Sequence, residues 1–285
     1  MTSDSQIPSV PPPWTLKGDV YAFAFWTSAS QDLPSLAYSP LESQSSYASS
    51  SESGRHVGGV SMIQFIRYTD SPVGPYDEMI VVPGGFEYER EDNEDGRRVK
   101  RRNPRITRIY VSQKNSCYNG RKNWNVPKHL ARFDWSEDSD GITEVKVYPR
   151  DVNSATESTT SETPFFQATF KPLRFAPSFP FQTNWINYIG VESTLVLPPL
   201  PAGDETNDEL PGTDRWCAVV PRQWSPRCSL GWFDLTQHRD AEGRLTGEFE
   251  NFWPGWGKWH FGFKMKDAVT IFDHPETWDA PRSTQ

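Results

Sequence analysis

Lys128 is the residue of this sequence whose neighbours best suit covalent chemistry on a carbonyl group. It follows Pro127, which fixes its own φ angle and favours an extended conformation for the residue before it. Apolar side chains flank it in the sequence at Trp124 and Leu130. A lysine amine that is withdrawn from water has a pKa below the usual value of about 10.4, and the neutral amine can attack a ketone to form a Schiff base. The alternative is a lysine whose stem packs on the protein while its ammonium stays in water.

Other catalytic and cofactor-binding motifs are absent from the sequence. It contains no Gly-x-Ser-x-Gly nucleophile motif, no Walker loop and no dinucleotide-binding glycine motif. The 5 histidines are scattered and do not have the spacing of metal ligands. We therefore expect neither a metal nor an organic cofactor.

Three ordered blocks of sequence, residues 67–78, 105–111 and 120–133, contain or precede Lys128. In this order they resemble the acetoacetate decarboxylase-like superfamily, and its fungal members most closely. The resemblance extends over residues 60–135 and is carried by the set of blocks rather than by any one of them. It implies a mainly β fold and an enzyme that forms a Schiff base on a lysine.

The resemblance also implies roles for individual residues. Lys128 matches the Schiff-base lysine, and Glu78 matches a pocket glutamate that stabilises charge or moves protons beside the iminium. The alternative for Glu78 is a glutamate at the end of a strand, in water. Arg121 matches a family arginine, which would bind a substrate carboxylate or attach its loop to Asp134.

Tyr76, Trp124 and His129 complete the expected substrate-binding residues. His129 stands where the decarboxylases have a second lysine, so activation of the catalytic amine would depend mainly on burial. Asp19 and Ile63 stand where the decarboxylases have an arginine and a second glutamate. The loss of that arginine argues against acetoacetate itself as the substrate.

Two functions are compatible with these residues. The favoured one is a lyase-type enzyme whose lysine forms a Schiff base with a ketone or β-keto metabolite, as in polyketide chemistry and other secondary metabolism. The iminium would serve decarboxylation, aldol or dehydration chemistry, or cyclisation. The alternative is a non-catalytic module that binds an apolar lipid-like or terpenoid ligand in the same pocket. The substrate and the oligomeric state are left open, including a homo-oligomer.

The composition predicts a soluble protein without nucleic-acid or membrane partners. The formal net charge is −8, which opposes binding to nucleic acid, and no apolar run approaches the ~18 residues of a membrane-spanning helix. The 3 cysteines lack a CxxC spacing and are interpreted as free thiols in a reducing compartment, the cytoplasm. A basic run over residues 97–105 follows an acidic run, which favours a solvated hairpin loop, although a nuclear localisation signal is left open.

The elements that would position Lys128 and Glu78 are predicted to be strands. Residues 60–68 and 78–83 are predicted as the two strands of a hairpin joined by a turn over residues 71–75, with Glu78 at the start of the returning strand. Asn119-Gly120 predicts a tight turn before Lys128, because both residues tolerate a positive φ. A short helix is expected over residues 129–133.

The rest of the chain predicts further strands and few helices. Residues 19–26 are apolar on both faces, as in a central strand. Prolines divide the second half into short candidate strands, at residues 143–148, 165–170, 193–197, 216–220, 229–236, 259–263 and 267–272. We predict that residues 1–12 are disordered and that residues 13–285 form a single domain. Its fold class is mainly β, as a curved antiparallel sheet or open β-barrel with few helices.

Overall fold

The computed structural model describes residues 7–29, 32–91, 97–149, 164–236, 253 and 258–279. Its strands are β1 (Trp14–Thr27), β2 (Arg55–Asp70), β3 (Tyr76–Val82), β4 (Gly85–Glu91), β5 (Arg98–Pro104), β6 (Arg108–Val111), β7 (Lys128–Glu137), β8 (Thr143–Pro149), β9 (Phe166–Pro172), β10 (Phe179–Gln182), β11 (Leu195–Leu197), β12 (Arg215–Val219), β13 (Arg222–Asp234), β14 (Lys258–Phe272) and β15 (Glu276–Asp279). The α-helices are α1 (Pro40–Ser43), α2 (Ser50–Ser53) and α3 (Lys114–Trp124), and short 3-10 helices lie at Ser35–Ala37, Ser46–Ala48 and Thr183–Ile189.

Nine of these strands form a closed barrel. Their order is β1-β14-β13-β9-β8-β7-β6-β3-β2, and β2 pairs again with β1. Neighbouring strands of the barrel are antiparallel except β6 and β7, which run parallel and are joined through α3. The predicted class, mainly β with few helices, is confirmed, and pairing of β1 on both edges closes the barrel.

Smaller elements cover parts of the barrel. The β4–β5 hairpin extends the sheet beyond β2, and β10 pairs with β13. A separate three-stranded sheet has the order β11-β12-β15. The predicted hairpin in the charged region is confirmed as β4 and β5, but Arg105 directly after it is buried rather than solvated.

Alternation along the strands creates the two larger apolar clusters of the described residues. One receives side chains from strands all round the barrel and fills its interior, with Phe23, Phe65, Met79, Val147 and Phe233 among its members. The other lies between the barrel wall, α3 and the small sheet, and includes Ile66, Ile80, Val111, Trp124 and Leu197. On β3 the odd residues therefore point inward, whereas the even residues, Glu78 among them, point toward α3.

Helix α3 has defined start and stop signals. The side chain of Gln113 accepts a hydrogen bond from the backbone N–H of Ser116 at 3.1 Å, which caps the helix N-terminus. Asn125 ends it in the left-handed conformation, with φ of 53°, and Pro127 follows. The turn predicted at Asn119-Gly120 is wrong, because both residues lie inside α3, and residues 129–133 form part of strand β7 rather than a helix.

Two other sequence predictions change. The strands predicted at 259–263 and 267–272 are one strand, β14, with Asp267 at a positive φ of 53° near a break in the pairing register with β1. Disorder was predicted through residue 12, but from residue 7 the chain is fixed on α3. Val10 donates its N–H to Asn119 at 2.7 Å and accepts from Asn123 at 2.8 Å. Residues 1–6 lie outside the described residues.

Within the described part of the chain, no helix combines the length and apolarity needed to cross a bilayer. Cys117, Cys217 and Cys228 are free thiols, as predicted, and all three are buried.

Candidate active site

Lys128 is the first residue of β7 and its side chain is directed into a polar cluster beneath α3. The residue is only 6% exposed. Its Nζ lies 2.8 Å from Oε2 of Glu78, 3.0 Å from Oγ of Ser116 and 3.5 Å from the hydroxyl of Tyr76. The alternative of an ammonium held in water is therefore wrong.

Gly120 makes the position of the Lys128 side chain possible. A Cβ atom built on Gly120 would lie 2.6 Å from Cδ and 2.7 Å from Cε of Lys128, closer than carbon atoms approach. Any larger residue at position 120 must push the lysine stem away from α3. Gly120, which the sequence analysis assigns to a turn, is therefore needed because the Lys128 side chain occupies the space that a Cβ atom would fill.

Glu78 is held in the middle of the barrel wall. It belongs to β3, where it pairs with Ile66 of β2 on one side and Val111 of β6 on the other. It is 2% exposed, and its carboxylate lies 2.8 Å from the Lys128 amine. The alternative of a strand-end glutamate in water is therefore wrong.

Tyr76 and Tyr68 form an aromatic wall beside this ion pair. Their ring centroids lie 4.9 Å apart and both residues are buried. Burial first, and the charge of Glu78 second, raise the pKa of both phenols well above the usual 10.0. Both hydroxyls therefore remain protonated at neutral pH and are available as hydrogen-bond donors.

A second polar cluster lies next to the first and consists of Glu42, Arg121 and His129. Glu42 Oε1 accepts from Arg121 Nη1 at 2.8 Å, and its Oε2 is 2.7 Å from His129 Nε2. Burial alone would raise the pKa of the Glu42 carboxyl, but the charges and hydrogen bonds of His129 and Arg121 outweigh it and hold that pKa below the usual 4.5.

Arg121 has a structural environment, which corrects the expectation that it binds a substrate carboxylate. Its side chain is fully buried. Besides Glu42, the guanidinium donates to the carbonyls of Pro201 at 2.6 Å, Pro211 at 3.2 Å and Lys128 at 3.2 Å. All three of its nitrogens have protein partners. The alternative contact, with Asp134, is also wrong.

Asp134 instead pairs with Arg132, two residues away on β7, at 2.9 Å. Both side chains of this pair are exposed to about half of their surface, at 48% and 45%. The pair therefore lies on the surface of the barrel, away from the buried clusters.

Trp124 and His129 also lie in the surroundings of the Lys128 amine rather than among its contacts. His129 adjoins Lys128 on β7, so the two side chains point to opposite faces of the strand. The indole N–H of Trp124 donates to the carbonyl of Asp273 at 2.9 Å, and its ring packs edge-on against Trp14. Of the expected substrate-binding residues, Tyr76 is the one in contact with the amine.

The sequence interpretation missed Ser116, Tyr68, Gly120 and Glu42. Ser116 and Gly120 lie on the buried face of α3, but they are small or polar residues and give no apolar helix pattern in the sequence. Tyr68 shares a strand face with Ile66 and could have been placed by alternation. Glu42 had no such signal, since α1 lies far from α3 in sequence.

Other candidate sites are less informative. A groove of about 300 Å³ lies between the β4–β5 hairpin and the small sheet, lined by Tyr88, Arg90 and neighbouring residues, and does not include Lys128. In the described residues, His, Cys, Asp and Glu side chains do not gather in threes or more as metal ligands would. The chemistry-bearing cluster of the described structure is therefore the one around Lys128.

The architecture is the acetoacetate decarboxylase-like fold. No protein-family profile matches the sequence, and no curated protein matches it significantly. Among solved structures, it is similar to acetoacetate decarboxylase from Legionella pneumophila, with a TM-score of 0.54 and 12% identity over 98% of this chain and 92% of that one.

Two further solved structures are similar over nearly their whole length. Another acetoacetate decarboxylase structure has a TM-score of 0.53 and 12% identity, covering 98% of both chains. The enduracididine biosynthesis enzyme MppR, complexed with the condensation product of pyruvate and imidazole 4-carboxaldehyde, has a TM-score of 0.52 and 14% identity over 99% of this chain and 94% of that one. At these identities the similarity establishes the fold alone.

Proposed function

We propose that this protein is a lyase-type enzyme in which Lys128 forms a Schiff base with a ketone or β-keto metabolite. The observation that supports it most is the contact of a buried lysine amine with a buried carboxylate, at 2.8 Å, on a fold shared with acetoacetate decarboxylase. The sequence resemblance extends the proposal to the fungal branch, to secondary metabolism such as polyketide chemistry, and to the cytoplasm.

Glu78 supplies the first proton transfer in this proposal. The Lys128 ammonium gives a proton to the Glu78 carboxylate across their 2.8 Å contact, and the neutral amine then attacks the substrate carbonyl. The protonated carboxyl returns the proton to the hydroxyl of the carbinolamine, which leaves as water. An iminium beside a carboxylate is the product, so the pair has no net charge before and after the step.

Tyr76 and Ser116 hold the amine in position during this exchange. Both hydroxyls lie within hydrogen-bond distance of Nζ, at 3.5 and 3.0 Å. Because the Tyr76 phenol stays protonated, it can also donate to the oxygen that develops negative charge on the attacked carbonyl. The iminium then accepts an electron pair from a breaking or rearranging bond of the substrate.

Reductive trapping tests the proposal directly. The protein is incubated with a panel of β-keto acids, β-keto esters and diketones, reduced with borohydride, digested and mapped by peptide mass. We expect an adduct on the peptide containing Lys128, and none in Lys128→Met. Burial raises the pKa of the neighbouring Cys117 thiol to about 12, so that thiol stays protonated and does not compete at neutral pH.

Lys122→Met is the matched control, because Lys122 lies on the exposed side of α3 beside Tyr118. It should leave the adduct unchanged. If no carbonyl compound gives an adduct, and a co-purifying apolar ligand binds wild type and Lys128→Met equally, the protein is the non-catalytic binding module instead.

A further inference from the structure

The Lys128–Glu78 pair is electrically neutral, and within the described part of the chain no further buried cation is in contact with it. Among the described residues, the ion-pair partner of Glu78 is Lys128. The remaining groups that touch the amine are hydroxyls, those of Ser116 and Tyr76. A substrate that carries its own carboxylate would therefore bring a net negative charge into this buried cluster.

The buried arginines of the described chain are committed elsewhere. Arg121 pairs with Glu42 and donates to three carbonyls. Arg105 lies over the ring of Phe86 at 4.3 Å and donates to the carbonyls of Val196 and Ser53. Neither guanidinium can turn toward Lys128 without leaving buried carbonyl groups unpaired, which is costly.

The pKa values of the two tyrosines also indicate that this site disfavours a further negative charge. The charge of Glu78 acts with burial to disfavour ionisation of both Tyr68 and Tyr76. A substrate carboxylate next to the iminium carbon would occupy this same region, separated from the reacting carbon by a single methylene in a β-keto acid. It meets the same combination of desolvation and like charge.

We propose that the Lys128 site selects uncharged carbonyl compounds, such as β-hydroxy ketones and β-keto esters, and discriminates against keto acids. This inference rests on the Schiff-base function proposed above. It narrows the possible reactions to aldol-type chemistry and excludes decarboxylation of keto acids. With a β-hydroxy ketone, the Glu78 carboxylate removes the hydroxyl proton of the iminium. The bond between the α and β carbons breaks, its electron pair forms an enamine, and a neutral aldehyde leaves. Glu78 then protonates the enamine carbon, and water releases the ketone.

A matched pair of probes tests the selectivity. Acetoacetate and methyl acetoacetate differ by one methyl group and one charge. Each is trapped with borohydride on the protein and, for reference, on free Nα-acetyl-lysine, which corrects for the different electrophilicity of the two ketones. A charge within about 4–6 Å commonly shifts an ionic equilibrium by about 10- to 1000-fold. We expect the corrected ester-to-acid ratio to favour the ester by about 10- to 100-fold.

Glu78→Gln separates charge selection from a steric cause. Removal of the carboxylate leaves Lys128 as the balancing cation, so the ester-to-acid ratio should fall by at least about 10-fold even where both adducts form more slowly. Asp134→Asn, which changes an exposed carboxylate, should leave the ratio at its wild-type value.

The outcomes distinguish this inference from the function it rests on. Equal trapping of acid and ester, or release of carbon dioxide from acetoacetate, overturns the selectivity while the Schiff base stands. A ratio that does not respond to Glu78→Gln also overturns it. Absence of an adduct with both probes, and with every other carbonyl compound, removes the Schiff-base function and this inference together.

Discussion

Glu78 and Glu42 are both withdrawn from water next to the start of β7, yet their surroundings differ. Each oxygen of Glu42 is occupied by a nitrogen of Arg121 or His129. Glu78 faces a flexible amine and the hydroxyl of Tyr76. Glu42 is held by a planar guanidinium and a ring, whose geometry is fixed.

This difference follows from strand geometry. Lys128 and His129 are consecutive residues of β7, so one points toward Glu78 and the other toward Glu42. In the Glu42 cluster, Arg121 also donates a hydrogen bond to the backbone carbonyl of Lys128, at 3.2 Å. We infer that the Glu42 cluster anchors the backbone from which the Lys128 amine is presented, while the Glu78 cluster retains groups that can exchange protons.

The largest effect is expected for Glu78→Gln on turnover. The amide cannot accept the ammonium proton, and the rate should fall by about 10²–10⁴-fold, the range of a positioned acid–base group. The similar size of the amide should leave the fold intact, which circular dichroism and the unfolding midpoint check. Steady-state kinetics on the preferred ketone measure the rate. Turnover at the wild-type rate would show that Glu78 has no role in proton transfer.

Glu42→Ala should act on stability instead. It leaves Arg121 and His129 buried without their carboxylate, and loss of one partner of a buried pair typically costs about 3–5 kcal/mol. Urea unfolding followed by tryptophan fluorescence measures the change. Asp134→Ala is the matched control, since it removes an exposed pair worth less than about 1 kcal/mol. A Glu42→Ala loss as small as the control would contradict the anchoring role.

Gly120→Ala should favour helix α3 but lower the reactivity of the Lys128 amine. Alanine favours a helix interior over glycine by about 1 kcal/mol. The new methyl group, however, must displace the end of the Lys128 side chain. We expect α3 to keep its helical structure while the rate of borohydride trapping falls by about 10-fold. Unchanged trapping would mean that the lysine has another path to its substrate.

The smallest effect is expected for the pH dependence of the stability that Glu42 contributes to the protein. Its pKa lies below the usual 4.5 in the folded protein, so its stabilising contribution is complete above pH 4.5 and is lost as the pH falls through the lower folded pKa. The stability advantage of wild type over Glu42→Gln should therefore shrink on acidification below pH 4.5. Urea midpoints of both proteins between about pH 3 and 7 measure it. An advantage that grows on acidification would reverse the assigned sign.

The strands and the central pair could be predicted from sequence because their signals are local. Two strand-like segments around a Pro/Gly turn predicted the β2–β3 hairpin. The proline before Lys128 and the family resemblance indicated the lysine, and the resemblance indicated Glu78. The role of Arg121 could not be predicted, because its partner Glu42 is separated by 79 positions. A charged residue in a matching motif does not reveal which distant residue neutralises it.

Helix α3 was misjudged because one residue type has two uses. Glycine beside asparagine usually indicates a positive φ, but Gly120 is required for the room it leaves to Lys128. The left-handed residue that the turn needed is Asn125, five positions later. A competing requirement from a side chain across the helix cannot be read from the local pattern.

The closure of the barrel has a consequence for folding during synthesis. Strand β1 is synthesised before its partner β14. Trp14 of β1 pairs with Phe272 of β14. The carbonyl that holds Trp124 of the site helix belongs to Asp273. A nascent chain that already contains Lys128 and Glu78 therefore exposes an unpaired β1 edge, which is prone to association with other chains. Reactivity of the amine should therefore appear only after β14 has been synthesised and has paired with β1.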